Sequence, residues 1–224
     1  MTTLDRTIRL GGAVARCGQL RIPTGVAPAA DPIPTGETPE DVTARLAAQA
    51  AGRLARYRRQ RPAAYAAASL GDLGPNERAA IWRWLESDSL TLVITGPVGT
   101  GKTHAAFAAA NWAAGQGTIP AAWTVPDLMV DLAPEGDPSA AHVTRTAPLL
   151  LLDDLGVEKT SEWRVEQITA LIDNRLGNGL RQIVTANADY DALARRYGER
   201  AMSRLTARAG LVRLTGADRR RVTW

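Results

Sequence analysis

The sequence contains one cysteine (Cys17), one phenylalanine (Phe107) and two histidines, His104 and His142. A single thiol excludes an internal disulfide framework, and so few thiol and imidazole groups exclude a zinc cluster. With phenylalanine nearly absent, core volume must come from leucine, isoleucine, valine, alanine and tryptophan. No apolar run approaches the roughly 20 residues that span a bilayer. Residues 1–20 lack the unbroken apolar core of a secretory signal. No internal repeat is present. These absences lead to the expectation of a cytoplasmic protein in a reducing setting, with no membrane partner.

The 224 residues are enough for one sizeable α/β domain and an appendage. The net charge is only +4, but the positive residues are mostly arginine and they cluster. Clustered arginine suits nucleic acid and suits an acidic protein partner equally well.

Residues 1–60 read as an arm. Pro23, Pro28, Pro32, Pro34 and Pro39 interrupt residues 1–40, which bury too little apolar surface to offset their ordering entropy. From Asp41 to Arg59, Val42, Leu46, Ala50, Leu54 and Tyr57 recur at helical spacing, with start signals at Thr38 to Asp41. Arg45, Arg53, Arg56, Arg58 and Arg59 occupy the other faces. Such a basic amphipathic helix is either a solvated surface helix or a docking element for protein or nucleic acid.

Residues 61–224 alternate strand and helix. An apolar run, Leu90 to Thr95, leads into Gly96-Pro97-Val98-Gly99-Thr100-Gly101-Lys102-Thr103, and His104 to Ala114 follows as an expected helix. This matches G-x-x-x-x-G-K-[ST] without substitution. Glycines let successive N–H groups turn inward around phosphate oxygens, and the new helix directs its positive end at the same anion. Lys102 can reach the β- and γ-phosphates, and the Thr103 hydroxyl can ligate Mg²⁺.

A second strand is expected over Thr118 to Val125, then a short helix from Pro126 and a loop over Pro134 to Ser139. The run Leu149 to Leu152 ends in Asp153-Asp154, about fifty residues after the glycine loop. Ligands bind at the carboxyl ends of strands in parallel sheets. Asp153 there could hold Mg²⁺, and Asp154 could orient or deprotonate an attacking water. A helix over Ser161 to Leu176 and a strand over Arg181 to Thr185 follow. Asn187, just past that strand, could place a water without adding negative charge. One helix is expected over Asp189 to Ala207, carrying Arg196, Arg200, Arg204 and Arg208 as a single stripe. That stripe is either a hydrated face or the source of an arginine that reaches a neighbouring subunit's γ-phosphate. Arg219, Arg220 and Arg221 form a basic tail, or place one group over the nucleotide. Strands with continuous apolar runs imply a three-layer α/β fold, a parallel sheet with helices on both faces.

Taken in order, these residues resemble the AAA+ ATPases of the DnaC-type helicase loader and IstB-type transposition families. The resemblance rests on Gly96 to His104, Leu149 to Gly156, Glu162-Trp163, Ile172 to Arg175, Ile183 to Asn187, Gly198 to Leu205 and Gly216 to Val222. It covers about residues 60–224. It implies a P-loop NTPase fold, ATP and Mg²⁺ as cofactors, and slow, assembly-dependent ATP hydrolysis. It implies Thr103 and Asp153 at the metal, Asp154 in place of the usual glutamate, and Asn187 as sensor 1. Arg204 becomes the finger with Arg200 its companion, Arg219 or Arg220 the sensor 2 group, and Tyr65 and Leu70 neighbours of the adenine. The partners implied are a replicative DNA helicase held by residues 1–60, single-stranded DNA, and further copies of the chain. The alternatives are a transposition ATPase acting on duplex DNA and a transposase, or a small P-loop kinase. Ala186 departs from the serine more usual before the sensor 1 asparagine.

Overall fold

The computed structural model describes residues 38–157, 161–207 and 209–216. Cys17, most of the arm, Arg208 and the arginines at 219–221 lie outside the described residues. The first element, α1 (Pro39–Gln60), starts where the sequence places it: Thr38 and Asp41 form a reciprocal capping box that satisfies two orphan donors. Most of α1 is solvated, and Leu46 is 51% exposed. Its last turns pack: Tyr57 is buried, and Gln60 Oε1 accepts from Ala122 N–H. That bond occupies a donor on a sheet-edge strand that would otherwise offer itself to another chain.

Among the described residues, five parallel strands form the sheet: β1 (Thr91–Thr95), β2 (Pro120–Thr124), β3 (Leu149–Leu155), β4 (Arg181–Ala186) and β5 (Gly210–Arg213). Their order is β2-β3-β4-β1-β5. Because strand side chains alternate, each strand feeds two cores. Leu92, Ile94, Leu149, Leu151 and Ile183 face one side, where the end of α1, α2 (Pro75–Leu85) and α3 (Lys102–Gly115) pack. Val93, Leu150, Leu152 and Val184 face the other. There they meet α4 (Val125–Asp131), α5 (Ala140–Thr146), α6 (Glu162–Gly177), α7 (Tyr190–Tyr197) and α8 (Glu199–Thr206). This is the expected three-layer architecture. In α3 six alanines and Phe107 are buried, so the helix is apolar all round and sits between sheet and outer elements. Small side chains allow that close approach, which is how a chain nearly free of phenylalanine fills its core.

One expected element is corrected, and one further element appears. The single helix expected over Asp189 to Ala207 is two helices. Gly198, at φ +88° and ψ 145°, ends α7 and opens α8, so Arg196 lies on a different helix from Arg200 and Arg204. The stretch after the Pro134–Ser139 loop is also helical, as α5. Its own pattern is weak, and it is held from outside. Arg175, fully buried on α6, donates to the carbonyls of Thr144 at 2.6 Å and Ala147 at 3.0 Å, at the end of α5. It donates also to Arg181 O at the start of β4. Burial with no acidic partner pulls the guanidinium down to about 9, and carbonyl oxygens take the place of water around it.

Candidate nucleotide site

The glycine loop joins β1 to α3 at the carboxyl edge of the sheet. Gly96, Gly99 and Gly101 all have positive φ (151°, 81° and 94°). At Gly96 a Cβ would collide with the Leu214 carbonyl, so the loop closes over the end of β5 only with glycine there. Thr100 Oγ1 donates to Pro97 O at 2.8 Å, and Lys102 Nζ donates to the same carbonyl at 2.8 Å. Lys102 is 5% exposed. A buried ammonium turned back onto its own loop marks where an anion would be received.

β3 carries the acids on a bulge. Leu152 pairs with Val184 and Leu155 with Ala186, so Asp153 and Asp154 oppose the single residue Thr185. Asp154 takes φ +61°, costly for a residue with a Cβ. The bulge removes the Asp154 N–H from the ladder, and Thr185 Oγ1 accepts it at 2.9 Å. The same hydroxyl donates to Asp153 Oδ1 at 2.6 Å, which also receives Thr103 Oγ1 at 3.2 Å. Burial pushes the Asp153 carboxyl above the usual range, and the Thr185 hydrogen bond opposes that shift. Asn187 Nδ2 lies 3.5 Å from Asp154 Oδ1.

Thr103, Asp154, Asn187, Gly99, Gly101, Lys102 and His104 line one cleft of about 540 Å³. Hard oxygen donors from Thr103 and Asp153 suit Mg²⁺, which takes few protein ligands and completes its shell with phosphate and water. Among the described residues no cluster of three His, Cys, Asp or Glu could hold a metal alone. The donor set and the loop therefore fit a Mg²⁺–nucleotide.

The segment before α2 also lines the cleft. Tyr65 stacks on Phe107 at 5.1 Å and 7°, and also lines the cleft. Asn111 on α3 fixes that segment: Nδ2 donates to Tyr65 O and Ala68 O, and Oδ1 accepts from Tyr57 OH and Arg61 Nη1, each at 2.7 Å. Leu70 is not part of the wall. It is 6% exposed, in the core with Leu73 and Ile81, because a side chain that apolar gains more by burial there than at a wet rim. Asp72 lines the cleft instead.

Arg200 and Arg204 are exposed on α8, and neither is among the described residues that line the nucleotide cleft. Arg204 Nη1 pairs with Asp173 Oδ1 at 2.7 Å. Arg219 and Arg220 lie outside the described residues.

Residues 78–221 match the family model described as IstB-like ATP binding protein. The chain belongs to this family. Among solved structures, this IstB-like chain is similar to the DnaC helicase loader, with 25% identity, a TM-score of 0.62, and 69% of this chain and 100% of that one covered. It is similar to DnaI at 26% identity and a TM-score of 0.63, covering 71% and 94%. The replication initiator DnaA bound to AMPPCP and single-stranded DNA shares the fold, at 23% identity, a TM-score of 0.59, and 68% and 51% covered. No match is found among curated proteins. No helix among the described residues is long and apolar enough to cross a membrane.

Within this IstB-like site, reading the sequence missed Thr185 and Asp72. Thr185 closes a buried strand, where threonine is ordinary, and only the bulge opposite makes it a brace. Asp72 follows Ser69 with capping-box spacing, which gives the 3-10 turn over Leu70–Asp72. That signal reports the turn and says nothing of the cleft beside it.

Proposed function

We propose that this IstB-like ATP-binding protein hydrolyses ATP with Mg²⁺ and uses the cycle to load a replicative DNA helicase onto single-stranded DNA in the cytoplasm. The observation that carries hydrolysis is the bulge that sets Asp153 against Thr103 and turns Asp154 toward Asn187. Helix loops rich in glycine bind phosphate without this second layer. The acid pair adds a place for a cation and a place for water.

The loop amides and Lys102 bind the phosphates, Lys102 exchanging the Pro97 carbonyl for an anionic oxygen. Thr103 and Asp153 would hold Mg²⁺, which when bound neutralises charge on the phosphates. Asp154 orients a water and accepts its proton. Asn187 donates to Asp154 or to the water, fixing the direction of attack. Lys102 brings one positive charge to this cleft, and exposed Arg204, with Arg200 beside it, is assigned to the γ-phosphate held by a second copy. Arg219 or Arg220 is assigned to the nucleotide of its own chain.

Helicase loading is supported by the likeness to the DnaC helicase loader over the whole of that chain. Single-stranded DNA is supported by the clustered arginines and by Trp163, 39% exposed at the start of α6, a surface on which a base can stack. Residues 1–60 are assigned to the helicase and the remainder to the ATPase domain. Because Tyr57 and Gln60 pack on that domain, the test truncates at residue 37. Co-purification with a replicative helicase is expected for the full chain and lost for the truncation. A chain that binds no helicase rules the loader out.

The family model is named for IstB-like proteins, which favours a second reading, a transposition ATPase. Filaments formed with ATP on duplex DNA, and capture of a transposase, would select it.

A further inference from the structure

The nucleotide cleft has two kinds of lining. Gly99, Gly101, Lys102 and Thr103 form the phosphate lining, and Tyr65, Asp72 and His104 line the cleft as well. Asp153 is tied to Thr103, whereas Asp72 is tied through His104 to Tyr65, the aromatic ring of the lining, so Asp72 is assigned to the nucleoside. It is also held in place. Asp72 Oδ2 accepts from Ser69 N–H at 2.9 Å and lies 3.1 Å from His104 Nε2. A carboxylate can only accept, so Nε2 carries the proton of that bond. Tyr65 closes the same region edge-on to His104, its ring fixed flat against Phe107.

We propose that Asp72, oriented by His104, accepts a hydrogen bond from the 6-amino group of adenine and thereby selects ATP over GTP. This rests on the ATP-binding reading of the cleft. The chemistry is one of acceptors and donors. Adenine presents an N–H donor at position 6, where guanine presents the O6 acceptor. An acceptor fixed against that position pairs with one and repels the other, and a repelled base leaves both groups desolvated without a partner. A carboxylate facing the N1 and N2 edge would favour guanine instead, so the sign of the preference is itself informative. His104 is a positioning residue here. It touches Asp72, and its place in the first turn of α3 ties base selection to the helix that receives the phosphates.

The test is equilibrium binding of four nucleotides to the full chain: ATP, GTP, dATP, and purine riboside triphosphate, which lacks the 6-amino group. The wild type is expected to bind the deaminated analogue roughly 10-fold more weakly than ATP, GTP more weakly still, and dATP like ATP. Asp72→Asn offers a donor to O6 and keeps the Ser69 and His104 contacts, so the ATP/GTP ratio should fall to within about 3-fold. His104→Gln can still donate to Asp72 and should keep most of the preference, whereas His104→Ala should lose much of it. Three results would overturn the proposal: a ratio unchanged in Asp72→Asn, equal weakening of all four nucleotides, or a penalty that falls on dATP and disappears with Asp72. A wild type that binds none of the four removes the nucleotide reading itself, a distinct failure.

Discussion

Thr185 donates to Asp153 Oδ1 at 2.6 Å from the strand beside it. One hydroxyl thus restrains the Asp153 carboxylate, proposed above for Mg²⁺, and, by accepting the Asp154 N–H, stabilises the bulge that orients its neighbour. Thr185→Val keeps the shape and removes both bonds. The expected result is nucleotide affinity without Mg²⁺ near that of the wild type, with the Mg²⁺ concentration for half-maximal turnover raised about 10-fold, the scale of one hydrogen bond to a charged group. Titrating Mg²⁺ at fixed ATP measures it. An unchanged Mg²⁺ requirement would leave the hydroxyl with no role beyond the strand.

Arg175 binds three buried carbonyls from α5, the turn after it and β4. Arg175→Met fills much of the volume and leaves those oxygens unpaired. Each unsatisfied group costs about 1–3 kcal/mol, so a loss of at least ~3 kcal/mol is expected. At this chain length that is a fall of roughly 10 °C in Tm. Thermal unfolding followed by circular dichroism checks it. A shift under about 2 °C would show that water replaces the guanidinium without cost.

Tyr57 anchors α1 by donating to Asn111, and burial holds its phenol up at about 12 against an ordinary 10.0. The folded chain therefore keeps this proton where the unfolded chain releases it. Its contribution is complete below pH 10 and is lost as pH rises through 12, worth about 2–3 kcal/mol at most. Denaturation of wild type and Tyr57→Phe should show their stability difference shrinking between pH 10 and 12. The buried Arg175 and Arg181, drawn down to about 9 and about 10, titrate equally in both proteins and cancel in the difference. A difference that is constant with pH would contradict the anchor.

The parts that were legible in the sequence are those written in contiguous residues. The glycine loop, the acids after Leu152 and the capping box at Thr38 each sit within a few positions. Their chemistry follows from residue type and spacing. Thr185 and Asn111 act across 31 to 54 positions, and Arg175 reaches carbonyls 28 and 31 positions away as well as one 6 away; nothing local in a threonine, asparagine or arginine states such partners. Gly198 was visible but ambiguous, since a glycine within a helical pattern can be tolerated or can end the helix. Leu70 and Asp72 lie on the same short turn with opposite fates. Burial of the leucine directs the carboxylate to the cleft, and that choice belongs to packing against Leu73 and Ile81.

In the shared hydrolytic site proposed above, one copy supplies the pocket and the next supplies Arg204. The Arg204–Asp173 pair is half exposed, so breaking it costs less than about 1 kcal/mol, and Arg204→Ala should fold and bind ATP normally. Lys102→Ala should fold but fail to receive the phosphates. The decisive measurement is ATP turnover by each variant alone and by an equimolar mixture. A shared site requires two inactive variants and a mixture that recovers a substantial fraction of wild-type turnover, because Lys102→Ala subunits supply Arg204 to the intact pockets of their neighbours. A mixture as inactive as its components, or an Arg204→Ala protein that turns over ATP at the wild-type rate, would contradict it.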